Sequence, residues 1–103
     1  MEKNMLHIVN KSPYDRNSLE SCLRLATKGS AVLLIEDGVY GVTKGGSFEG
    51  KVQAAMADVK VYVLGPDLSA RGMADRVLDG VSVVDYGGFV DLVAEHSNCQ
   101  SWL

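Results

Sequence analysis

The side chains best suited to nucleophilic or carrier chemistry in this sequence are its two cysteines, Cys22 and Cys99. The reactive form is the thiolate, which needs an electropositive or helix-N-terminal setting. Cys22 falls near the fourth position of a predicted helix, where part of the positive dipole end is still felt. The same spacing puts it in one apolar stripe with Leu19, Leu23 and Ala26, where a free thiol behaves as a small hydrophobe. Packing is the preferred role for Cys22, with reactivity as the alternative. Cys99 sits among polar residues with no flanking positive charge, so incidental reactivity is expected there. Neither cysteine has a CxxC partner or metal-ligand spacing, and no bound metal is expected. His7, inside a predicted strand, reads as a hydrogen-bonded core or interface histidine. His96 reads as a cation suited to a helix C-terminus.

Glu36 and Asp37 are adjacent acids at a strand end. Paired carboxylates do acid–base work when their environments separate their pKa values. Alternation along an extended chain points these two to opposite sides, and an Asp37-Gly38 turn beside a solvated Glu36 is the simpler reading. Lys11 and Ser12 lie at a strand-to-helix turn, where phosphates are often met. That turn has no glycine to let the backbone approach a phosphate, so a turn with a helix cap is expected and no cofactor. Arg71 after Asp67 could clamp an anion, but an Asp–Arg pair four apart reads more simply as a local helix contact.

Short β-branched runs alternating with amphipathic stretches must position these residues. Strands are predicted at 5–9, 31–35, 59–64 and 81–84, and helices at 19–28, 48–57 and from Asp85 through His96. Shorter helical pieces are expected at 39–43 and 68–71. Asn17 with Glu20 is read as a capping box, Gly29 as a helix stop and Asp85 as an N-cap. The tail, 97–103, has no predicted element and carries Trp102. This order gives an α/β fold, a small doubly wound, three-layer parallel sheet of about four strands with preferred order 2-1-3-4. One domain over 1–103 is expected, and ligands in such folds gather beyond the carboxyl ends of the strands.

With 103 residues, 47% hydrophobic and 22% charged, the composition is that of a globular domain. A chain this short buries only about two-thirds of its unfolded surface, so a partner surface would help hold it. The formal charge of −3 argues against direct nucleic-acid binding, which needs a basic patch. No run approaches the roughly 18 apolar residues of a membrane span. The N-terminus does not read as a signal peptide, which with two unpaired cysteines implies a reducing, cytoplasmic setting.

Several segments together resemble one family. Leu6-His7-Ile8-Val9-Asn10-Lys11-Ser12-Pro13 resembles the opening of TusB/DsrH proteins, and Leu34-Ile35-Glu36-Asp37-Gly38-Val39 looks like their second strand and turn. Val61-Tyr62-Val63-Leu64 followed by Asp67-Leu68-Ser69-Ala70-Arg71-Gly72 is similar to their third strand and following loop. Asp85-Tyr86, Phe89-Val90 and the near-terminal Trp102 complete the likeness. The resemblance implies a DsrE-like fold and assembly with TusC/DsrF-like and TusD/DsrE-like sister subunits in an α2β2γ2 hexamer. Such complexes pass persulfide sulfur to a TusE/DsrC-like acceptor, for 2-thiolation of the tRNA wobble uridine or for sulfur oxidation. Residues 17–22 lean toward the DsrH branch, which carries a cysteine in this helix. TusD/DsrE subunits hold their sulfur-accepting cysteine in the loop after the third strand, where this chain has Gly65-Pro66-Asp67-Leu68. The expected role is therefore mainly structural, with Cys22 a candidate secondary persulfide site. The alternatives are a sulfurtransferase carrying persulfide on Cys22 and a flavodoxin-like nucleotide-binding module.

Overall fold

The structure is a computed structural model that describes residues 5–96 and 98–102. Its strands are β1 (Met5–Val9), β2 (Ala31–Leu34), β3 (Lys60–Leu64), β4 (Ser82–Val84) and β5 (Asn98–Trp102). Its helices are α1 (Ser18–Leu25), α2 (Glu49–Ala55), α3 (Gly65–Ala70) and α4 (Tyr86–Glu95), with a 3-10 segment at Glu36–Val42. All four strand pairings are parallel, in the order β4-β3-β2-β1-β5.

The fold class follows the expectation from the sequence, but the sheet has five strands and a different order. β2 is buried at every position and takes the centre, hydrogen-bonded to β1 on one side and β3 on the other. The run Ala31-Val32-Leu33-Leu34 has no polar face to give to solvent, which is what a strand covered on both faces requires. The free edge of β1 is taken by β5, with Leu6 opposite Cys99 and Val9 opposite Trp102. No element is expected in the tail from its sequence, because Asn98-Cys99-Gln100-Ser101 shows no apolar alternation. It becomes a strand because the exposed N–H and C=O row of β1 offers a template.

Steady movement from β1 to β4 in one direction, with right-handed crossovers, puts the first connections on one face. There Leu19 and Cys22 of α1, Val39 and Val42 of the 3-10 segment, Val52 of α2 and Leu68 of α3 pack against Val9, Val32, Leu34, Val61 and Val63. The return from β4 to β5 reverses direction, so α4 lies on the other face. Its Leu92 meets Leu6, Ala31 and Leu33, with Ile8, Tyr62, Val84 and Phe89 packed around them. Full burial of a side chain such as Leu33 is worth roughly 1.5–3 kcal/mol, and the larger of the two clusters holds most of the core.

The structure departs from the sequence reading at both ends of α1. The helix stops at Leu25 on an extended Ala26 rather than running to residue 28, so Gly29, at φ +90°, shapes the turn before β2 and is not the helix stop. Asn17 precedes α1 but makes no side-chain capping bond, because its φ of −92° and ψ of 19° hold it outside the extended conformation that aims a capping oxygen at the first turn. Asp85 is extended and its carboxylate accepts the Gly88 N–H at 2.8 Å, as an N-cap should. Pro66 stands in the first turn of α3, where a missing N–H costs nothing.

Candidate functional site at the carboxyl ends of the strands

The connections leaving β1, β2 and β3 meet in a polar clasp. Glu36, which follows the end of β2 after one intervening residue, has φ +49°, a left-handed conformation that a non-glycine residue holds only when its surroundings fix it. The fixing bond is its own N–H, donated to Asp67 Oδ2 at 2.6 Å. Asn10 Nδ2, at the end of β1, donates to Glu36 Oε1 at 3.4 Å. Asn10 Oδ1 is sealed from solvent and has no hydrogen-bond partner among the described residues. Arg71 Nε donates to Asp37 Oδ1 at 2.9 Å, and its Nη1 donates to the Asp67 carbonyl at 3.2 Å. That Asp37 bond holds the Arg71 guanidinium above its ordinary pKa.

The Asp67–Arg71 pairing expected within one helix is therefore different in the structure. Arg71 keeps the local contact through the Asp67 carbonyl and takes its carboxylate partner, Asp37, from another loop, while the Asp67 carboxylate accepts the Glu36 amide. The adjacent acids have separate tasks: Asp37 pairs with Arg71, and the Glu36 carboxylate receives Asn10. These bonds tie three loops together, and no nucleophile stands among them. Ser12, in the loop that leaves β1, is buried. Its Oγ accepts the Tyr14 N–H at 3.2 Å and its carbonyl accepts from Asp15 and Arg16, so it builds the turn.

Cys22 lies on the buried stripe of α1 with no exposed surface. It packs with Leu19 in the larger core cluster, and burial pushes its thiol pKa up to about 12. The dipole of an eight-residue helix does not offset that desolvation, since its effect fades beyond the first turn. Cys99 is exposed on β5, and both cysteines are free thiols. Among the described residues no group of three or more His, Cys, Asp or Glu side chains is placed to hold a metal.

His7 and Trp102, 95 positions apart, meet across β1 and β5. The Trp102 indole Nε1–H donates to His7 Nδ1 at 3.0 Å. Indole nitrogen only donates, so Nδ1 must be the acceptor and the neutral ring carries its proton on Nε2. His7 is 5% exposed, and burial lowers its pKa. The pair walls a pocket of about 220 Å³ together with Met5, Leu25, Thr27 and Gln100. His96 Nδ1 bonds the Leu92 carbonyl at 2.7 Å, closing the last turn of α4. The His7–Trp102 bond has no local signature in the sequence, where no pattern links the two residues. The only hint is that both belong to the segments that carry the family resemblance.

Comparison with known proteins bears on what these features serve. A family described as DsrH-like protein matches residues 11–99. Protein TusB of Pectobacterium parmentieri is 38% identical over 95% of this chain and 100% of its own length. Protein TusB of Shigella flexneri is 35% identical with the same coverage. The chain belongs to the TusB/DsrH family. Among solved structures, the ychN protein of E. coli superimposes with a TM-score of 0.81 at 18% identity, over 94% of this chain and 97% of that one. The MTH1491 protein of Methanobacterium thermoautotrophicum gives 0.71 at 20% identity, over 93% and 96%. These two likenesses concern the fold, and they agree with the five-stranded parallel arrangement of this TusB/DsrH chain. Among the described residues no helix is long and apolar enough to cross a membrane.

Proposed function

We propose that this chain is a structural subunit of a cytoplasmic sulfur-relay complex of the TusBCD/DsrEFH kind, acting beside TusC/DsrF-like and TusD/DsrE-like sister chains. The complex delivers persulfide sulfur to a TusE/DsrC-like acceptor, and the TusB relatives favour 2-thiolation of the tRNA wobble uridine as the destination. In this reading the principal persulfide sits on a sister chain, and this chain completes the assembly with no sulfur on Cys22. The observation that carries the assignment is the state of Cys22. A sulfur carrier must expose a thiolate to donor and acceptor in turn, whereas Cys22 is sealed in the core with its thiol pKa pushed up to about 12. The loop after β3, where the family resemblance puts the carrier cysteine of the sister chain, is here the start of α3 and contains no cysteine.

The test is mass spectrometry of the assembled complex after loading with a persulfide donor. Sulfur additions of about 32 Da are expected on a sister subunit and not on Cys22, and Cys22→Ser should leave sulfur delivery nearly intact. Transferable sulfur on Cys22, lost together with delivery in the serine variant, would make this chain a carrier in its own right.

A further inference from the structure

The two faces of the sheet are covered unequally. One carries α1, the 3-10 segment, α2 and α3; among the described residues the other carries α4 alone. Five strands at about 4.8 Å spacing present a sheet roughly 19 Å across, and one helix with its side chains covers about 10 Å of it. Ile8, Tyr62 and Val84 are accordingly only partly buried beneath it. The outer side of α4 does not turn polar, as the solvent face of a surface helix normally does. Tyr86 is 60% exposed, Val90 65% and Val93 41%. Phe89, Val90, Val93 and Ala94 line a shallow depression of about 300 Å³ on this side. Contiguous exposed apolar surface of this sort marks an interaction site.

Charge narrows the choice of occupant. The ionised residues on α4 and at its cap are Asp85, Asp91 and Glu95, all exposed. After Arg76 the sequence contains no further Lys or Arg. Lys60 is the one basic residue among the strand positions on this face, as its register opposite Ala31 places it. A second copy of this chain, docked face to face, would bring acidic rim against acidic rim. Like charges so juxtaposed oppose pairing.

We propose that the α4 face is the seat of a different protein chain, one that presents an apolar centre rimmed by Lys or Arg. The inference rests on the subunit reading above and gives that reading a place: the sister chain that docks here is the one with the basic-rimmed apolar face. Val90 lies at the centre of the contact, and Asp91 with Glu95 sets its orientation. Charge-paired rims steer association and weaken with salt.

The test uses this chain with its sister chains from the same genome, with association measured by calorimetry and sedimentation. The variants are Val90→Glu and the double reversal Asp91→Lys/Glu95→Lys, all at exposed positions, with circular dichroism and thermal melting confirming an unchanged fold. Each variant is expected to weaken association by at least about tenfold. The wild-type affinity should fall as salt rises from about 0.05 to about 0.5 M. If the wild type assembles and both variants assemble equally well, the α4 face is not the seat, while the subunit reading stands. If the wild type alone forms a dimer that Val90→Glu dissociates, the occupant is a second copy and the proposal is wrong. If the wild type does not associate with its sister chains at all, the subunit reading fails and this inference falls with it.

Discussion

His7 is neutral in the fold for two reasons that act together: burial disfavours its charged form, and its Nδ1 must accept the Trp102 indole proton. Protonation would set one donor against another. Its folded pKa lies below the ordinary 6.5, so between those values the unfolded chain binds more protons than the folded one. Stability from this group is therefore fully present above pH 6.5, and it falls as pH drops through that window until the folded pKa is passed. Trp102 is the single tryptophan, so its fluorescence reports the pair directly. An emission change with a midpoint below 6.5 is expected, abolished in His7→Gln. Cys22 runs the other way. With its pKa raised to about 12 from an ordinary 9.0, folding favours the protonated thiol, and stability declines as pH rises above 9.0. In the folded protein at pH 8, a thiol reagent such as DTNB should modify Cys99 rapidly and Cys22 only on unfolding. Equal rates at both sites would mean that the packing around Cys22 opens far more readily than its burial suggests.

At the scale of elements, the two N-cap candidates make a controlled comparison. Asp85 accepts a helix amide at 2.8 Å, while Asn17 makes no capping bond. Asp85→Ala should cost about 1 kcal/mol of unfolding free energy, and Asn17→Ala a few tenths at most; denaturant titration of both variants reads the difference. The contrast also shows what a sequence reveals. β2 is legible because four consecutive apolar residues have no surface to return to, and α1 because Leu19 and Cys22 repeat at helical spacing. β5 is not legible, since Asn98-Cys99-Gln100-Ser101 has no pattern of its own and is made a strand by the open edge of β1. The same holds for the strand order. The preferred 2-1-3-4 order puts β1 in the middle, whereas the fully apolar strand is the one that needs both neighbours. The clasp of Asn10, Glu36, Asp37, Asp67 and Arg71 is legible only in part. Its residues stand out singly at strand ends, but the bonds that join one loop to another span 26 to 34 positions.

For the whole molecule, charge decides which contact with a nucleic acid is possible. Thirteen acidic residues against ten basic ones give a formal charge of −3. Nonspecific affinity for RNA comes from basic groups that displace counterions from phosphate, several at once and close together. Among the described residues, three of the basic groups are already engaged: Lys44 with Asp79, Lys51 with Glu20 and Arg71 with Asp37. The chain from residue 77 onward, which includes β5 and the whole of α4, contains no Lys or Arg at all. Stacking on aromatic side chains could add affinity for single-stranded RNA. Trp102 is not free for it, however, since its indole is bonded to buried His7. Tyr14 packs edge-on against Phe48 at 5.4 Å. The isolated chain should therefore show no binding to tRNA in the micromolar range at physiological salt, by filter retention or gel shift. Any tRNA contact made during thiolation would then belong to another protein of the pathway. Submicromolar binding by this chain alone, weakening steeply as salt is raised, would show that a basic surface forms which neither its charge nor its fold accounts for.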